Sequence, residues 1–440
     1  MPTQYTIGGR GAASIAASVE LGIRRGRLPA GARLPPVRRL ARDLRVSPGT
    51  VASAYRVLRD RGLIHTRIGS GTTISARPPL AAAATHHVPA GVRDLSNGNP
   101  DPSLLPPLAE SLGLLDTRHH LYDEPASLAG LLDVARRDFR GEGVPAESLT
   151  VVSGALDGVE RVLQAHLRLG DRVAVEDPAY ASVLDLLAAL GLSPVPVGVD
   201  DLGALPGDLH AALREGAAAV LLTPRSQNPF GAAFDEGRAR ELRSVLRRHP
   251  EALLIEDDHA GPVSGVEHVP LVTRERARWA VVRSVAKSLG PDLRVALLAG
   301  DATTVDRVAG RRLLGQGWVS RLLQQVVLAL WSDPGIGRLL ETAGRTYAHR
   351  RRSLLDALSR RGVVAHGRSG MNVWIPVPEE AGVMRALLNG GWAVRAGEHF
   401  RLRSPPAIRV TISGLLPEEA ERFADALAGA LRPRDRGRPA

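Results

Sequence analysis

One side chain in this 440-residue sequence is set apart by its chemistry. The chain has 57 lysines and arginines together, and Lys287 is the only lysine among them. A guanidinium stays protonated, whereas an amine can lose its proton and attack a carbonyl carbon. Because the sequence otherwise uses arginine as its cation, the retained lysine indicates imine formation with an aldehyde. The alternative is the chance survival of one surface lysine.

Other residues with chemical potential follow short apolar segments that predict β-strands. Five such segments precede them along the chain: 149–152 before Gly154 and Ala155; 172–176 before Tyr180; 218–222 before Asn228; 252–256 before Asp257 and His259; 279–283 before Ser284, Lys287 and Arg294. Parallel strands bring their carboxyl ends to one edge of a sheet, where ligands collect. If the sheet is parallel, an anion-binding turn, an aromatic ring, an amide, a carboxylate and the lysine converge on one crevice.

This set of groups suits a phosphorylated pyridine aldehyde, which is the chemistry of pyridoxal 5'-phosphate. A lysine amine forms an imine with the aldehyde, and a carboxylate keeps the ring nitrogen protonated. An amide can bond the ring hydroxyl, and an aromatic side chain can stack on the ring. Serine, arginine and the N–H groups of a small-residue turn at a helix start hold a phosphate.

The amino-acid sequences of three segments resemble those of the fold-type I aminotransferases, and specifically those of the MocR subgroup of the GntR regulators. The segments are TPRSQNP (223–229), IEDDH (255–259) and SVAKSLGPDLR (284–294). The resemblance extends over about residues 94–430. It implies an α/β domain of fold type I that binds pyridoxal 5'-phosphate, and it implies a homodimer, since such domains generally pair.

The resemblance also implies a role for each site residue. Lys287 would form the Schiff base, Asp257 would face the ring nitrogen and Asn228 the ring hydroxyl. Tyr180 would stack on the ring, and the phosphate would be held by Gly154, Ala155, Ser284 and Arg294. Arg409, in AIRVTIS (407–413), would bind the carboxylate of an effector. His259 stands where the family has a tyrosine that donates to the ring hydroxyl, so the tuning of the ring is expected to be weaker or pH-dependent.

Alternating apolar segments and helical stretches over 94–435 independently predict an α/β fold with a mostly parallel sheet. Further strands are expected at 193–197 and 294–300. A long helical zone leads to a smaller α+β part with strands at 371–377 and 407–413. We therefore expect a large part over about 94–330 and a small C-terminal part over about 331–435.

The N-terminal region predicts three helices and a small β-ribbon. Apolar spacing indicates helices at 12–26 and 36–44, and Ser47 followed by Pro48 is typical of the start of a third. Two short strands are expected within 63–75 around a Gly-Ser-Gly turn. This arrangement is a winged helix-turn-helix, whose third helix can enter the major groove of DNA.

Residues 12–76 closely resemble the GntR family. The family pattern implies DNA contacts in the helices and in the wing at Arg38, Arg45, Ser47, Gly49, Thr50, Ser53, Arg67 and Gly69. Pro48 stands where the family usually has an arginine that contacts phosphate or base, so the chain departs from the family pattern at this position. We expect residues 1–76 to form the DNA-binding domain, and the Ala- and Pro-rich residues 77–93 to form a linker.

Charge and composition fit this organisation. The first 78 residues hold 14 arginines and three acidic residues, so they carry the whole net charge of +11, and the remainder is neutral. A basic end of this kind indicates a polyanion such as double-stranded DNA as partner. The absence of cysteine excludes disulfides and thiolate metal sites. No apolar run is long enough to span a membrane. We expect a soluble cytoplasmic protein without a metal.

These features predict a multidomain protein, in which an all-α winged helix-turn-helix precedes an α/β domain of the fold-type I aminotransferase type. The favoured function is a transcription regulator that senses pyridoxal 5'-phosphate or a small amino compound held by Arg409. The alternatives are a working aminotransferase and a dimerising scaffold without cofactor. The DNA-binding module favours the regulator, because catalysis has no use for it.

Overall fold

The computed structural model describes residues 5–24, 27–29, 31–60, 63–67, 71–74 and 88–432. They form two compact units. The first consists of the described residues up to 74 together with 168–171 and 184–194, and the second contains the rest. The predicted boundary between the DNA-binding domain and the linker, at 76, lies outside the described residues. None of the helices among these residues has the length and apolar character that a membrane span requires.

The N-terminal unit contains the predicted helix-turn-helix and β-ribbon. Its elements are α1 (Ala12–Arg24), α2 (Val37–Leu44), α3 (Pro48–Asp60), β1 (Ile64–Arg67) and β2 (Gly71–Ile74), and the two strands pair antiparallel. The apolar face of α3 is buried against the other helices through Val51, Ala54 and Leu58. The predicted helices and strands of this region are therefore confirmed over the described residues, whereas residues 25–26 of the first predicted helix and residues 69–70 of the predicted Gly-Ser-Gly turn lie outside them.

The second unit begins with a strand and continues as alternating strands and helices. Its strands up to residue 300 are β3 (Arg93–Asp94), β4 (Ser148–Val152), β5 (Arg172–Asp177), β6 (Ser193–Asp200), β7 (Gly203–Ala204), β8 (Ala217–Leu222), β9 (Leu253–Asp258), β10 (Trp279–Ser284) and β11 (Ala296–Gly300). The helices are α4 (Ala109–Gly113), α5 (Ala129–Gly141), α6 (Ala155–His166), α7 (Ala181–Ala189), α8 (Pro206–Arg214), α9 (Glu236–Arg247), α10 (Ala302–Leu313), α11 (Arg321–Ser332), α12 (Pro334–Ser359), α13 (Glu380–Asn389) and α14 (Pro417–Leu431). Most of α7 and the first two residues of β6 are grouped with the first unit.

Eight strands form the large sheet in the order β4-β11-β10-β9-β8-β5-β6-β7. The pairs β5/β8, β8/β9 and β9/β10 are parallel, whereas β11 runs antiparallel to both of its neighbours. The predicted mostly parallel α/β sheet is thus confirmed. Strands β9, β10 and β11 are buried along their whole length, as in sheets covered by helices on both faces.

Four strands extend beyond the carboxyl ends that the apolar pattern predicted, β5 to Asp177 and β6 to Asp200 among them. β9 continues through Asp257 and Asp258, and β10 includes Ser284. Successive side chains of a strand point to opposite faces of the sheet, so Asp257 and Asp258 lie on different sides of it. The sequence pattern missed this because carboxylates usually mark the end of a buried strand.

The smaller C-terminal part contains β12 (Asn372–Pro376), β13 (Trp392–Ala393), β14 (Arg395–Ala396) and β15 (Ala407–Thr411). Three of these strands form a sheet in the order β12-β15-β14, and β13 pairs in parallel with β3. Residues 94 and 95, which the sequence placed in the large part, and Arg93, which it placed in the linker, are therefore joined to the C-terminal part. Pairing between segments so far apart in the chain has no local sequence signal.

Candidate functional site

A cavity of about 200 Å³ lies where β4, β5, β8, β9 and β10 end. Nine of the ten residues predicted to bind cofactor or effector line it: Ala155, Tyr180, Asn228, Asp257, His259, Ser284, Lys287, Arg294 and Arg409. The tenth, Gly154, adjoins it through its contact with Arg294. The structure therefore brings the predicted residues together, although the role of each residue in binding stays a prediction.

Lys287 is held inside this cavity by a main-chain carbonyl. Its Nζ atom donates to the carbonyl oxygen of Gly98 over 2.6 Å. Burial, and after it the charge of Arg409, lowers the pKa of the Lys287 amine to about 8. A larger fraction of the amine is therefore neutral near pH 7 than for an exposed lysine, and the neutral amine is the nucleophilic form.

Asp257 supplies a buried carboxyl whose Oδ1 atom has no hydrogen-bond partner among the described residues. Burial, and after it the charge of Asp258, raises the pKa of Asp257 to about 7. An unpartnered acceptor in a cavity is unfavourable unless a ligand donates to it. The protonated nitrogen of a pyridine ring is such a donor, so this carboxyl fits pyridoxal 5'-phosphate.

The turn before α6 has the backbone of an anion site. Gly154 has a φ of +96°, and a Cβ atom built there would lie 3.0 Å from Arg294 Nη2. Only glycine adopts this conformation freely and admits the guanidinium so closely. The turn, the free N–H groups at the start of α6 and the arginine together suit a phosphate.

Asn228 and Arg409 are already joined to each other. Arg409, which is buried, donates from Nη1 to Asn228 Oδ1 over 3.1 Å and from Nη2 to the carbonyl oxygen of Ser96 over 2.6 Å. Because Oδ1 of Asn228 is engaged, its amide NH₂ group remains for a ring hydroxyl. The guanidinium also lies 5.0 Å from the ring centre of Phe400.

His259 does not reproduce the donor that the family has at this position. Its Nε2 atom lies 2.9 Å from the carbonyl oxygen of Ser226, which can only accept, so Nε2 carries the proton and donates to that carbonyl. Burial, and after it the charge of Lys287, lowers the pKa of His259 to about 4, so the imidazole is neutral near pH 7. The weaker or pH-dependent tuning of the ring stays a prediction.

Several lining residues were missed by the sequence reasoning, and the most important belong to one turn. Asn97 and Gly98 line the cavity, and Ser96 bonds Arg409. The polar stretch SNGNPD (96–101) could have indicated a turn, but nothing local places that turn against strands some 190 residues later. Met371 and Asn372 from β12 and its approach complete the wall.

A buried charge cluster lies beneath the site on the other side of β9. Asp258 accepts from Arg225 over 2.8 and 2.9 Å and from Arg283 Nε over 2.7 Å, and both arginines also contact Glu142. Burial alone would raise the pKa of Asp258, but the two guanidinium groups hold it well below its usual range. The cluster ties β9, β10 and the loop after β8 together, next to the cavity residues Ser226, Asp257 and Ser284.

The predicted DNA-contact residues lie around the turn between α2 and α3. Arg38, Arg45 and Gly49 are exposed, and Ser53 is half-buried on α3. Ser47 caps α3, since its Oγ atom accepts from the Thr50 backbone N–H over 3.1 Å. Arg67 lies in β1 with a side chain that is not described, and Gly69 lies outside the described residues.

Comparison with known proteins agrees with both units. A family described as "Aminotransferase class I and II" matches residues 131–427, and "Bacterial regulatory proteins, gntR family" matches residues 12–74. The chain is 39% identical to the vitamin B6 salvage pathway transcriptional repressor PtsJ of Salmonella typhimurium, over 97% of this chain and 99% of that protein. It is 27% identical to the probable rhizopine catabolism regulatory protein MocR of Rhizobium meliloti, over 76% and 74% of the two chains.

Among solved structures, kynurenine aminotransferase of Pyrococcus horikoshii matches 78% of this chain and 91% of its own, with a TM-score of 0.71 and 19% identity, which shows a shared fold. A winged helix-turn-helix thus precedes an aminotransferase-like unit, whose cavity presents a lysine amine, an unpartnered carboxyl and an anion-binding turn that fit pyridoxal 5'-phosphate. The chain belongs to the MocR subfamily of the GntR transcription regulators, as a DNA-binding regulator whose aminotransferase-like domain binds this cofactor.

Proposed function

We propose that this regulator controls genes of vitamin B6 metabolism and that pyridoxal 5'-phosphate itself is its effector. The observation that carries the proposal is the pairing, in one cavity, of the Lys287 amine with the unpartnered Asp257 carboxyl. When bound, pyridoxal 5'-phosphate supplies an aldehyde that reacts with amines and a ring that withdraws electrons. The name of the relative PtsJ supports vitamin B6 as the signal.

The proposed residue roles follow from the contacts. Lys287 takes the aldehyde, Asp257 accepts from the ring nitrogen, and Asn228 donates to the ring hydroxyl. Tyr180, about one-third exposed at the cavity, covers a face of the ring. The phosphate is held at the turn before α6 and on β10 by a set of four residues: Gly154, Ala155, Ser284 and Arg294.

Arg409 keeps donors for an amino compound beside the cofactor. Its guanidinium bonds the Asn228 amide oxygen and the Ser96 carbonyl, but its buried Nε atom has no partner among the described residues, so a carboxylate can bind without displacing either contact. Pyridoxal 5'-phosphate carries no carboxylate and does not require that arginine, so the cofactor alone is the simpler effector. An amino acid effector and steady aminotransferase turnover are the competing functions.

The first test is spectroscopic. The purified protein is expected to gain the near-ultraviolet and visible absorbance of an imine when pyridoxal 5'-phosphate is added, and borohydride should trap a cofactor that peptide mass mapping places on Lys287. The same preparation should protect a DNA fragment from nuclease to an extent that depends on the cofactor. If nuclease protection of the DNA is the same at every concentration of bound cofactor, the protein does not sense the cofactor and the proposal is wrong. Steady turnover of amino acids would indicate an enzyme.

We also propose a homodimer, which an exposed apolar patch in the second unit supports. The patch comprises Leu112, Leu114, Leu121, Tyr122, Leu313 and Leu314, all more than half exposed. Tyr122 packs edge-on against Trp318, at 5.6 Å between ring centres, and Asp116 bonds Gln325 of α11, so these segments are neighbours. Large apolar side chains grouped on a surface are typical of an interface.

Sedimentation of the full chain is expected to give twice the mass of one 46.8 kDa chain. Leu314→Asp should shift the protein towards the monomer, because it places a charge in the patch. Val364→Asp, at an exposed valine outside the patch, is the matched control and should leave the mass unchanged. A monomer in the wild-type protein at micromolar concentration would contradict the proposal.

DNA binding by the N-terminal unit predicts a specific loss on substitution of Arg45. Arg45→Ala is expected to weaken binding to a protected fragment, and to reduce the slope of log affinity against log salt by about 1, because one phosphate contact disappears. Arg59→Ala, in the last turn of α3, changes the net charge equally and should leave the slope almost unchanged. Equal effects of the two substitutions would indicate a general charge effect only.

Because the proposed target is chromosomal DNA, the proposal implies the cytoplasm as the compartment.

A further inference from the structure

One turn of the main chain contacts two of the cationic side chains of the cavity, Lys287 and Arg409. The carbonyl oxygen of Gly98 accepts from Lys287 Nζ over 2.6 Å, and the carbonyl oxygen of Ser96 accepts from Arg409 Nη2 over 2.6 Å. We call residues 96–98 the carbonyl turn. One of its oxygens accepts from the amine that the proposed function assigns to the cofactor aldehyde, and the other accepts from the guanidinium that the sequence predicts as a carboxylate site.

The carbonyl turn is held in shape by its own side chains. The carboxylate of Asp94 accepts from Ser96 N over 2.8 Å, from Ser96 Oγ over 2.7 Å and from Asn97 Nδ2 over 3.1 Å. Gly98 has a φ of +72°, and a Cβ atom there would lie 3.3 Å from Arg409 Nη2. The turn therefore needs glycine, both for its backbone conformation and for its approach to the guanidinium.

The position of the carbonyl turn in the chain connects it to the DNA-binding head. It follows β3, and β3 follows the segment predicted as the linker from the winged helix-turn-helix. Leu95, just before the turn, donates its N–H to Ala393 O and accepts from Thr411 N, both over 2.8 Å. A displacement of the turn therefore acts on the short strand in which the linker ends.

Binding chemistry at Lys287 is incompatible with its contact to Gly98. When the neutral amine condenses with an aldehyde, its two hydrogens leave with the carbonyl oxygen as one molecule of water, and a carbon–nitrogen double bond forms. The nitrogen then has no hydrogen to donate to the Gly98 carbonyl unless it takes up another proton, and its position is fixed by the ligand. A half-buried carbonyl without its donor favours a different arrangement of the turn.

We infer that the carbonyl turn is the element through which the cavity acts on the linker. Without ligand, Lys287 and Arg409 hold the turn in place. When a ligand aldehyde reacts with the Lys287 amine, the Gly98 carbonyl loses its hydrogen bond from Nζ. β3 and the linker then lose one of the contacts that hold them in place. Ligand thereby binds the released arrangement in preference to the held one, which is the requirement for a shift between two states. This inference rests on the proposed function of the cavity.

The absence of cysteine makes a direct test possible. In Asn99→Cys, an exposed position just after the turn, a spin label would be the only thiol adduct of the full-length chain. The label is expected to change from a slow to a fast component when pyridoxal 5'-phosphate is added. Pyridoxine 5'-phosphate, which has a hydroxymethyl group in place of the aldehyde, should leave the slow component unchanged. A label at Ser359→Cys, exposed at the end of α12, should not respond to either compound.

A second arm tests the contact without any ligand. Lys287→Ala in the labelled chain removes the donor to Gly98, so the ligand-free variant should show the fast component already. A slow label in this variant, or an equal response to both phosphates, would overturn the inference. If the cofactor binds and maps to Lys287 while the label stays slow, the carbonyl turn is not the switch and the sensor remains. If no cofactor binds, both proposals fail.

Discussion

Alanine in place of Lys287 is expected to leave a protein that binds DNA but no longer changes that binding when pyridoxal 5'-phosphate is added. The substitution removes the only lysine amine of the chain, and with it the covalent attachment. The remaining donors at the turn before α6 can still hold the phosphate, but this contact gives no reason for the Gly98 carbonyl to move. Nuclease protection across a cofactor titration measures the response directly, and the response should be lost completely.

Arginine at the same position is the matched control for this prediction. Lys287→Arg keeps a cation and hydrogen-bond donors near the Gly98 carbonyl but cannot form an imine. The arginine variant is therefore expected to bind DNA as the ligand-free wild type does, and the alanine variant as the cofactor-loaded wild type does. In both variants, DNA binding should be the same with and without the cofactor. A cofactor response that survives in either variant would show that the lysine is not the sensing group.

Asparagine in place of Asp258 is expected to lower the free energy of unfolding by about 3–5 kcal/mol, the usual effect of removing one partner from a buried ion pair. Asp258 is fully buried and bonds two buried guanidinium groups, so the neutral amide leaves Arg225 and Arg283 short of a counter-charge. Glu142 offsets part of this loss because it contacts both arginines. Chemical denaturation of the ligand-free protein measures the difference.

The neighbouring substitution, Asp257→Asn, makes the same atomic change with a different expected result. The pKa of Asp257 is raised to about 7 in the folded chain from an ordinary value of 3.8, so the protonated carboxyl favours folding. Its contribution to stability is complete below about pH 4 and is lost as the pH rises through about 7. The wild type should therefore lose stability relative to Asp257→Asn over this range, and the two should be similar at its acid end.

Cofactor binding separates the two aspartates further. Asp257→Asn is expected to weaken cofactor binding strongly, because an amide cannot stabilise a protonated ring nitrogen as a carboxylate does. Equal losses of stability in the two variants, at a pH where Asp257 is protonated, would contradict the assignment of Asp258 to the structural cluster and of Asp257 to the ligand.

Most of the lining of the cavity could be predicted from the sequence, because it follows from one geometric rule. Residues that follow parallel strands meet at one sheet edge, whatever the helices between them do, so Tyr180, Asn228 and Lys287 could be placed together without tertiary information. The helix-turn-helix was equally accessible, since its cap at Ser47 and its buried stripe on α3 are local signals. Both patterns depend only on the periodicity and ends of single elements.

The parts that sequence reasoning missed depend on contacts between distant segments. The Ser96 carbonyl accepts a hydrogen bond from Arg409, which is 313 positions later in the chain, and Arg283 pairs with Glu142, which is 141 positions earlier. The cluster around Asp258 has a further reason: the apolar pattern of β9 stops before its two aspartates, so it carries no signal that Asp258 belongs to the strand and lies on the opposite face from Asp257. Arginine-rich composition also hid Arg225 and Arg283, because nothing in their neighbourhood distinguishes them from surface arginines.

The pairing of β3 with β13 has a consequence for the newly made chain. Arg93 forms its ion pair with Glu419, 326 positions later, and β3 has no partner strand until Trp392 and Ala393 have been synthesised. On the ribosome, the DNA-binding head therefore emerges long before β13, the strand that pairs with β3 at the end of the linker. A nonsense mutation shortly before residue 392 should therefore leave β3 without its partner strand, and DNA binding by the truncated chain should no longer respond to the vitamin.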